Sequence, residues 1–196
     1  MLRIGITGGI GAGKSFISKR LVAMGFPIFD CDSQSKRLMN EDPAIRIQLV
    51  DLLGVECYNE EGLNRAFVAQ RLFSDSSIKA AIEQIVHPKV AMAFANWAEE
   101  QNSPLVFVES AILYESGFDQ HVDKVIMVDA DEEVRIRRIL QRDACSYEQA
   151  QARIQAQAST AEKRKKADYI LENNPQSDVN QQLFQLVKKL YQLPVD

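Results

Sequence analysis

Cysteine and histidine are scarce in this 196-residue chain. Its three cysteines, Cys31, Cys57 and Cys145, form no C-x-x-C pair, and their number is odd. Only two histidines, His87 and His121, are available to complete a metal site. These shortages argue against a zinc fold and a disulfide framework. At this length a single hydrophobic core buries enough surface to make either device unnecessary.

Long apolar runs are also missing. The uncharged stretch 21–29 is interrupted by Gly25 and Pro27, and it has about half the length that a membrane span requires. The N-terminal residues show no apolar segment followed by a small-residue cleavage site, as a secretory signal would. We therefore expect a cytoplasmic protein that does not associate with a membrane.

The chain has no excess of positive charge. It contains 27 acidic and 23 lysine or arginine residues, which gives a net charge of −4 and no support for nucleic-acid binding. The charge is uneven, however, because the segment 135–166 contains nine basic and three acidic residues. A basic segment on an acidic protein indicates a compact anionic ligand that is bound at one place.

The order of apolar segments predicts an α/β fold. Five short segments, which are apolar throughout rather than alternating, predict strands of a parallel sheet that is covered on both faces, at 2–7, 27–29, 105–108, 124–128 and 169–171. Helical periodicity predicts helices at 14–24, 131–142, 146–157 and around 179–190. Gly25 is the predicted end of the first helix, and Ser146 with Gln149 predicts a capping box at the start of the helix 146–157.

The long segment between the second and third strands shows helical periodicity and no convincing strand. An insertion at the carboxyl end of a parallel strand lies over the ligand crevice, so we expect it to recognise a second substrate. His87 and Pro88 within it form either a helix-breaking corner or a contact to substrate phosphates.

A glycine-rich loop follows the first strand. Residues 8–15 read GGIGAGKS and match G-x-x-x-x-G-K-[ST] between a strand and a helix. Glycines allow successive backbone N–H groups to form an anion cradle at the positive end of the helix dipole. Lys14 would reach the β- and γ-phosphates of ATP, and the Ser15 hydroxyl would bind Mg²⁺. The alternative is a glycine-rich turn that only caps a helix.

Acidic residues follow two of the strands. Asp30 and Asp32 can project into the crevice, where one carboxylate would act as the base for an attacking hydroxyl. The alternative is a solvated turn or the N-cap of a helix that begins near Ser33. Glu109 resembles the second acid of P-loop proteins, which holds Mg²⁺ directly or through water. Its alternative is an ordinary acid at the end of a strand.

The basic segment contains three arginines with helical spacing. Arg135, Arg138 and Arg142 are three and four residues apart and share one helix face, so they form a plausible clamp on phosphate oxygens. The alternative is a solvated helix face. The adjacent bases 163–166 cover all sides of a helix, and we expect them to be solvated.

In their order and spacing, these motifs resemble the dephospho-coenzyme A kinases. The resemblance covers nearly the whole chain, and it rests on the loop 4–15, Asp30-Cys31-Asp32, His87-Pro88, the segment 112–115, Arg138, Arg142-Asp143, Arg153, Gln157, Ala167-Asp168 and Asn173. Two residues differ from the usual family pattern, namely Ala111 and Pro175.

The resemblance implies a P-loop kinase fold with a helical acceptor-binding insertion and a helical lid. It implies one domain with a core (1–32, 103–130 and 167–196), the insertion (33–102) and the basic lid (131–166). The implied reaction is transfer of the ATP γ-phosphoryl group to the ribose 3′-hydroxyl of dephospho-CoA, with Mg²⁺, by a monomer or weak homo-oligomer.

The resemblance also assigns roles to individual residues. The implied catalytic residues are Lys14, Asp32, Arg138 and Arg142, and the implied metal ligands are Ser15 and Glu109. Dephospho-CoA would contact Asp32, His87 and Glu115. ATP would contact Gly9, Gly11, Ala12, Gly13, Lys14, Ser15, Phe16 and Asn173.

Other functions fit parts of the sequence. A kinase for another small metabolite or a nucleoside monophosphate would share the loop, the lid and the fold. A nucleotide-binding module without catalysis would share the loop alone. A regulatory GTPase is disfavoured, because the D-x-x-G match at 51–54 lies in a helical pattern and the chain contains no N-K-x-D.

Overall fold

The computed structural model describes residues 1–75, 77–157 and 159–194, and the chain divides into two compact units, Met1–Phe29 with Glu100–Asp196 and Asp30–Glu99. In chain order the described strands and helices are β1 (Leu2–Thr7), α1 (Lys14–Ala23), β2 (Ile28–Asp30), α2 (Cys31–Glu41), α3 (Pro43–Leu53), β3 (Tyr58–Asn59), β4 (Gly62–Leu63), α4 (Arg65–Ser74), α5 (Ser77–Glu99), β5 (Leu105–Glu109), β6 (Lys124–Asp129), α6 (Glu132–Arg142), α7 (Tyr147–Gln155), α8 (Thr160–Lys166), β7 (Tyr169–Glu172) and α9 (Val179–Leu190).

The sheet confirms the α/β prediction. Five strands lie in the order β2-β5-β1-β6-β7, and β1 pairs in parallel with both β5 and β6. In this register Ile6 of β1 lies beside Glu109 of β5 and Ile126 of β6. The carboxyl ends of the central strands therefore meet at one edge, and the glycine-rich loop begins there.

One face of the sheet is covered by α1 and α9. Buried strand side chains, including Ile4, Phe107 and Ile126, form one core with Ile17 of α1 and Leu183 of α9. The alternate strand side chains, which include Val106, Val108 and Met127, are also buried, and burial on both faces explains why these strands are apolar throughout rather than alternating.

The end of α1 agrees with its predicted stop. Gly25 has a φ of +91°, a left-handed conformation that disfavours residues with a Cβ. Its N–H donates to the Val22 carbonyl at 2.9 Å, and the next N–H, from Phe26, donates to the Leu21 carbonyl at 3.0 Å. These bonds satisfy the last carbonyls of the helix and turn the chain toward β2.

Helices α6 and α7 form a small core of their own. Its buried members are Ile136, Ile139, Ala150 and Ile154, and the partly buried side chain of Ile10 packs against them from the glycine-rich loop. Ser146 caps α7, and Gln149 completes a reciprocal capping box, as the sequence predicts.

The unit Asp30–Glu99 is helical, with one departure from the prediction. Tyr58 and Asn59 pair with Leu63 and Gly62 in a short antiparallel hairpin, whereas we expected no strand in this segment. Strands of two residues are too short to show alternation, which explains why the pattern did not reveal them. The Asn40 side chain accepts a hydrogen bond from the Leu63 N–H at 2.8 Å and ties the hairpin to α2.

Pro88 does not form a corner. It lies inside α5, which runs without a break from Ser77 to Glu99, so a helix-breaking corner at His87-Pro88 was a wrong alternative. Proline removes one helical N–H, but packing of Val86, Val90 and Phe94 in buried positions supports the helix on both sides of it.

None of the described helices, α5 included, combines the length and the apolar composition that crossing a membrane requires.

Candidate active site

The loop between β1 and α1 has the shape of an anion cradle. Gly11 and Gly13 have φ angles of +79° and +96°, in the left-handed region where glycine is favoured. Gly13 is also the N-cap of α1, and no side chain caps the helix there. The first N–H groups of α1 are therefore directed toward the loop, where they and the helix dipole favour an anion.

Neighbouring groups leave no room for side chains on these glycines. A Cβ on Gly13 would collide with the amide nitrogen of Asn173, and a Cβ on Gly11 would lie 2.6 Å from the Arg135 carbonyl oxygen. A Cβ on Gly9 would lie 2.6 Å from the central carbon of the Arg135 guanidinium. The glycines are therefore required by the protein around the loop and not only by a phosphate inside it.

Cationic and amide side chains donate hydrogen bonds to the loop carbonyls. The Lys14 ammonium donates to Gly8 O at 2.9 Å and weakly to Gly9 O at 3.4 Å. Arg135 Nε donates to Ile10 O at 2.9 Å. Because a peptide's C=O and N–H point in opposite directions, binding the carbonyls turns N–H groups toward the ligand side.

Arg138 and Asn173 bind the carbonyls of the next two residues of the loop, Gly11 and Ala12. Arg138 Nη1 donates to Gly11 O at 3.3 Å and to Ala12 O at 3.2 Å, and its Nη2 donates to Asn173 O at 2.7 Å. The Asn173 side chain donates to Ala12 O at 2.8 Å and is buried. Burial lowers the pKa of the Arg138 guanidinium from its usual value, which still leaves it charged near neutral pH.

Glu109 lies beside the start of α1. Its carboxylate accepts hydrogen bonds from Ser15 Oγ at 3.1 Å and from Ser18 Oγ at 2.6 Å. Separate sequence motifs pointed to Ser15 and to Glu109, and the structure brings the two side chains together. Ser18 was missed, although its position one helical turn after Ser15 was a usable signal.

These oxygens fit Mg²⁺ as it is held in phosphate sites. The ion prefers oxygen ligands and is usually bound by one or two carboxylates together with substrate phosphates and water. No group of three His, Cys, Asp or Glu side chains suited to a metal occurs among the described residues. The hydroxyl of Ser15 and the carboxylate of Glu109 therefore suit an ion that arrives with a phosphate ligand.

Arg142 differs from the other two arginines of the proposed clamp. Its side chain is exposed and forms a two-point ion pair with Asp143, at 2.7 and 2.8 Å. Arg153 shares the same carboxylate at 2.9 Å. The hydrogen bond from Arg142 holds the pKa of Asp143 below its usual value. Of the three arginines, Arg135 and Arg138 contact the loop, and Arg142 is paired elsewhere.

The adjacent bases of α8 are not all solvated. Lys163 is 2% exposed, and its ammonium lies 2.6 Å from the Glu115 carboxylate and 3.0 Å from the Ala111 carbonyl oxygen. The expectation of solvation for 163–166 was therefore wrong at Lys163. Arg164 pairs with Asp129 and Glu172. A run of bases gives no periodicity from which a single buried member can be recognised.

Phe16, another predicted nucleotide contact, lies in the first turn of α1. Phe16 is 41% exposed, and the Arg20 guanidinium stacks on its ring at 3.5 Å. Such a pair leaves the ring in contact with solvent on its other side.

The remaining predicted site residues belong to the unit Asp30–Glu99. Asp30 is the N-cap of α2, and its carboxylate accepts from the N–H groups of Asp32 and Ser33 at 3.0 and 3.3 Å. Asp32 is exposed in the first turn of α2, and His87 is half-buried within α5. The capping role predicted for one of the two acids therefore belongs to Asp30.

Comparison with known proteins gives a consistent result. A family model described as dephospho-CoA kinase matches residues 2–178. A dephospho-CoA kinase of Bacteroides fragilis is 39% identical over 192 residues, which cover 97% of this chain and 94% of the relative.

Solved structures agree over the whole length. A Thermus thermophilus protein superposes with a TM-score of 0.82 at 33% identity and covers 99% of this chain and 98% of its own. A dephospho-CoA kinase from Campylobacter jejuni superposes with a TM-score of 0.70 at 26% identity, with 96% of each chain covered.

Substitutions of the two acids near the start of α2, Asp30 and Asp32, should differ in their effect on the free energy of unfolding. Changing Asp30 to Ala removes the cap of α2 and should lower the free energy of unfolding by about 1 kcal/mol, whereas Asp30→Asn keeps an acceptor oxygen and should lose little. Asp32→Ala, in the first turn, should cost about 0.5 kcal/mol. Urea denaturation measures all three. An Asp30→Asn variant as unstable as Asp30→Ala would contradict the capping role.

Proposed function

The chain belongs to the dephospho-CoA kinase family, and from this premise we propose how its own residues transfer the γ-phosphoryl group of ATP to the ribose 3′-hydroxyl of dephospho-CoA. This transfer is the last step of coenzyme A synthesis. The observation that carries the assignment of residues is the loop 8–13, whose carbonyls accept hydrogen bonds from Lys14, Arg135, Arg138 and Asn173.

ATP enters the cradle with its phosphates toward the N-terminus of α1. The N–H groups around Gly9, Gly11, Ala12 and Gly13 bind phosphate oxygens, and the Lys14 ammonium moves from the Gly8 carbonyl to the β- and γ-phosphates. Asn173 supports this binding through Ala12, and Phe16 borders the nucleotide.

Ser15 and Glu109 hold Mg²⁺, Ser15 through its hydroxyl and Glu109 directly or through water. When bound, the ion neutralises charge on the β- and γ-phosphate oxygens. Ser18 keeps the Glu109 carboxylate oriented by donating to its second oxygen.

Asp32 is the general base for the acceptor. Its carboxylate takes the proton of the 3′-hydroxyl as the hydroxyl oxygen bonds to the γ-phosphorus and the bond from that phosphorus to the bridging oxygen of ADP breaks. Both acids are exposed, but the Asp30 carboxylate is occupied as the cap of α2, whereas the Asp32 carboxylate accepts no hydrogen bond from the described residues. His87 contacts the acceptor within the helical insertion.

The basic segment acts as the lid. Arg138 stabilises the charge that spreads over the transferring phosphoryl group, and Arg142 exchanges Asp143 for a phosphate oxygen when the lid closes. Glu115, held by Lys163, contacts the acceptor. The cytoplasmic location of the enzyme, and its state as a monomer or weak homo-oligomer, remain predictions.

The acceptor is tested by direct competition. Purified protein with ATP and Mg²⁺ is offered dephospho-CoA, AMP, CMP and shikimate in parallel, and product masses are read by mass spectrometry. Only dephospho-CoA should gain a phosphate, and Lys14→Ala should abolish the gain. Phosphorylation of another acceptor would contradict the proposed substrate, and no phosphorylation at all would indicate a binding module.

Asp32→Asn should lower kcat by about 10² to 10⁴ and leave the affinity for ATP unchanged, because a general base acts on the chemical step. Asp51→Asn, an exposed acid on α3 of the same unit, serves as the matched control and should keep full activity. Release of ADP gives the rate, and calorimetric titration gives the affinity. A kcat within threefold of the unchanged enzyme would place the base elsewhere.

Glu109→Gln should raise the Mg²⁺ concentration for half-maximal rate about tenfold or more, since the amide keeps an oxygen for one serine and an NH₂ that can donate to the other but loses the charge that attracts the ion. Glu100→Gln, an exposed acid outside the site, controls for net charge. A Mg²⁺ titration of the initial rate measures both. An unchanged midpoint for Glu109→Gln would remove Glu109 from the metal site.

A further inference from the structure

The guanidinium of Arg135 is almost completely buried against the glycine-rich loop. The residue is 4% exposed. Its Nε donates to Ile10 O at 2.9 Å, and its Nη1 donates to Thr160 Oγ1 at 3.1 Å. Thr160 is the first residue of α8. One rigid planar group therefore bridges the tip of the loop and the start of a lid helix.

The loop tip is held in three independent ways. The Ile10 N–H donates to the Gln157 side chain at 2.6 Å, and the Ile10 side chain packs against the apolar core of α6 and α7. The third contact is the bond from Arg135 to the Ile10 carbonyl. Of these contacts, only the one from Arg135 involves a charged group. Its guanidinium lies against Gly9, where a Cβ on the glycine would collide with it.

Arg135 has no carboxylate in an ion pair within the described ranges of the chain. Asp129 and Glu132 act on it only through longer-range attraction, and burial lowers its pKa. Burying a charge without a close counter-charge is unfavourable, and an apolar side chain of similar size would avoid that cost. The cost is offset if an anion binds on the other side of the loop, close to the guanidinium.

We propose that Arg135 is a positioning residue for the phosphates of ATP: its guanidinium bridges Ile10 and Thr160 and holds the loop tip in the phosphate-binding shape before the nucleotide arrives. The inference rests on the proposed function for the identity of the nucleotide. It adds a residue that makes no contact with the acceptor and acts through the loop.

This role has a defined kinetic consequence. A loop held in its binding shape stabilises bound ATP equally in the ground state and in the transition state. Loss of the bridge should therefore raise KM and Kd for ATP, change kcat by less than threefold and leave KM for dephospho-CoA unchanged. A residue with a merely structural role would lower thermal stability without this separation.

The test compares three variants on one helix. Arg135→Gln removes the charge and one of the two bonds, and Arg135→Lys keeps the charge but replaces the rigid planar fork that spans Ile10 and Thr160 with one ammonium on a flexible stem. Arg137→Gln is the matched control, because Arg137 lies two residues along α6 and is exposed. ATP binding is measured by calorimetry without acceptor, together with steady-state kinetics and melting temperature.

We expect Arg135→Gln to weaken ATP binding about tenfold, which is the loss of one charge-assisted hydrogen bond. Arg135→Lys should weaken it about two- to fivefold, and Arg137→Gln should match the unchanged enzyme. If Arg135→Gln fails to fold, Arg135→Lys carries the test. ATP affinity within 1.5-fold of the unchanged enzyme, in whichever of these two variants is folded, would overturn the proposal.

The outcomes also separate this inference from the proposed function. Because binding is measured without acceptor, weaker ATP binding by the Arg135 variants supports the positioning role even if dephospho-CoA is not phosphorylated. Normal phosphorylation of dephospho-CoA together with unchanged ATP affinity in these variants would overturn the positioning role alone.

Discussion

The candidate site depends on holding the loop carbonyls away from the ligand. A peptide that presents its N–H to a phosphate must direct its C=O the opposite way, and a buried carbonyl without a donor is costly. Lys14, Arg135, Arg138 and Asn173 supply those donors between Gly8 and Ala12. The glycine pattern, the two arginines of α6 that bind loop carbonyls and the position of Asn173 after β7 all follow from this one constraint.

The same arrangement places positive charge on both sides of the loop. Behind it, Arg135, which is buried, and Arg138, which is half-buried, donate to loop carbonyls, so they contribute a fixed field. In front of it, the Lys14 ammonium and the N-terminus of α1 meet the ligand. Preorganised charge of this kind needs little rearrangement when the phosphates arrive, which is why it favours transfer of a highly charged group.

Much of this was predictable from the sequence. Apolar strands, glycine and capping positions depend on local geometry, so the five-stranded sheet, the stop at Gly25 and the capping box at Ser146 were confirmed. The structure showed the contact between Ser15 and Glu109, although the choice of each residue followed from motif order. The roles of Arg135 and Lys163 did not, because which side of a basic helix is buried depends on distant segments: Ile10 and Thr160 for Arg135, Ala111 and Glu115 for Lys163.

The most direct measurement follows the backbone amide resonances of the loop while ATP is added to isotopically labelled protein. The N–H groups of Gly11, Gly13 and Ser15 donate none of the hydrogen bonds found among the described residues, whereas that of Ile10 is bound to Gln157. We expect large shifts at Gly11, Gly13 and Ser15 and a small one at Ile10. Shifts confined to residues outside 8–15 would contradict this expectation.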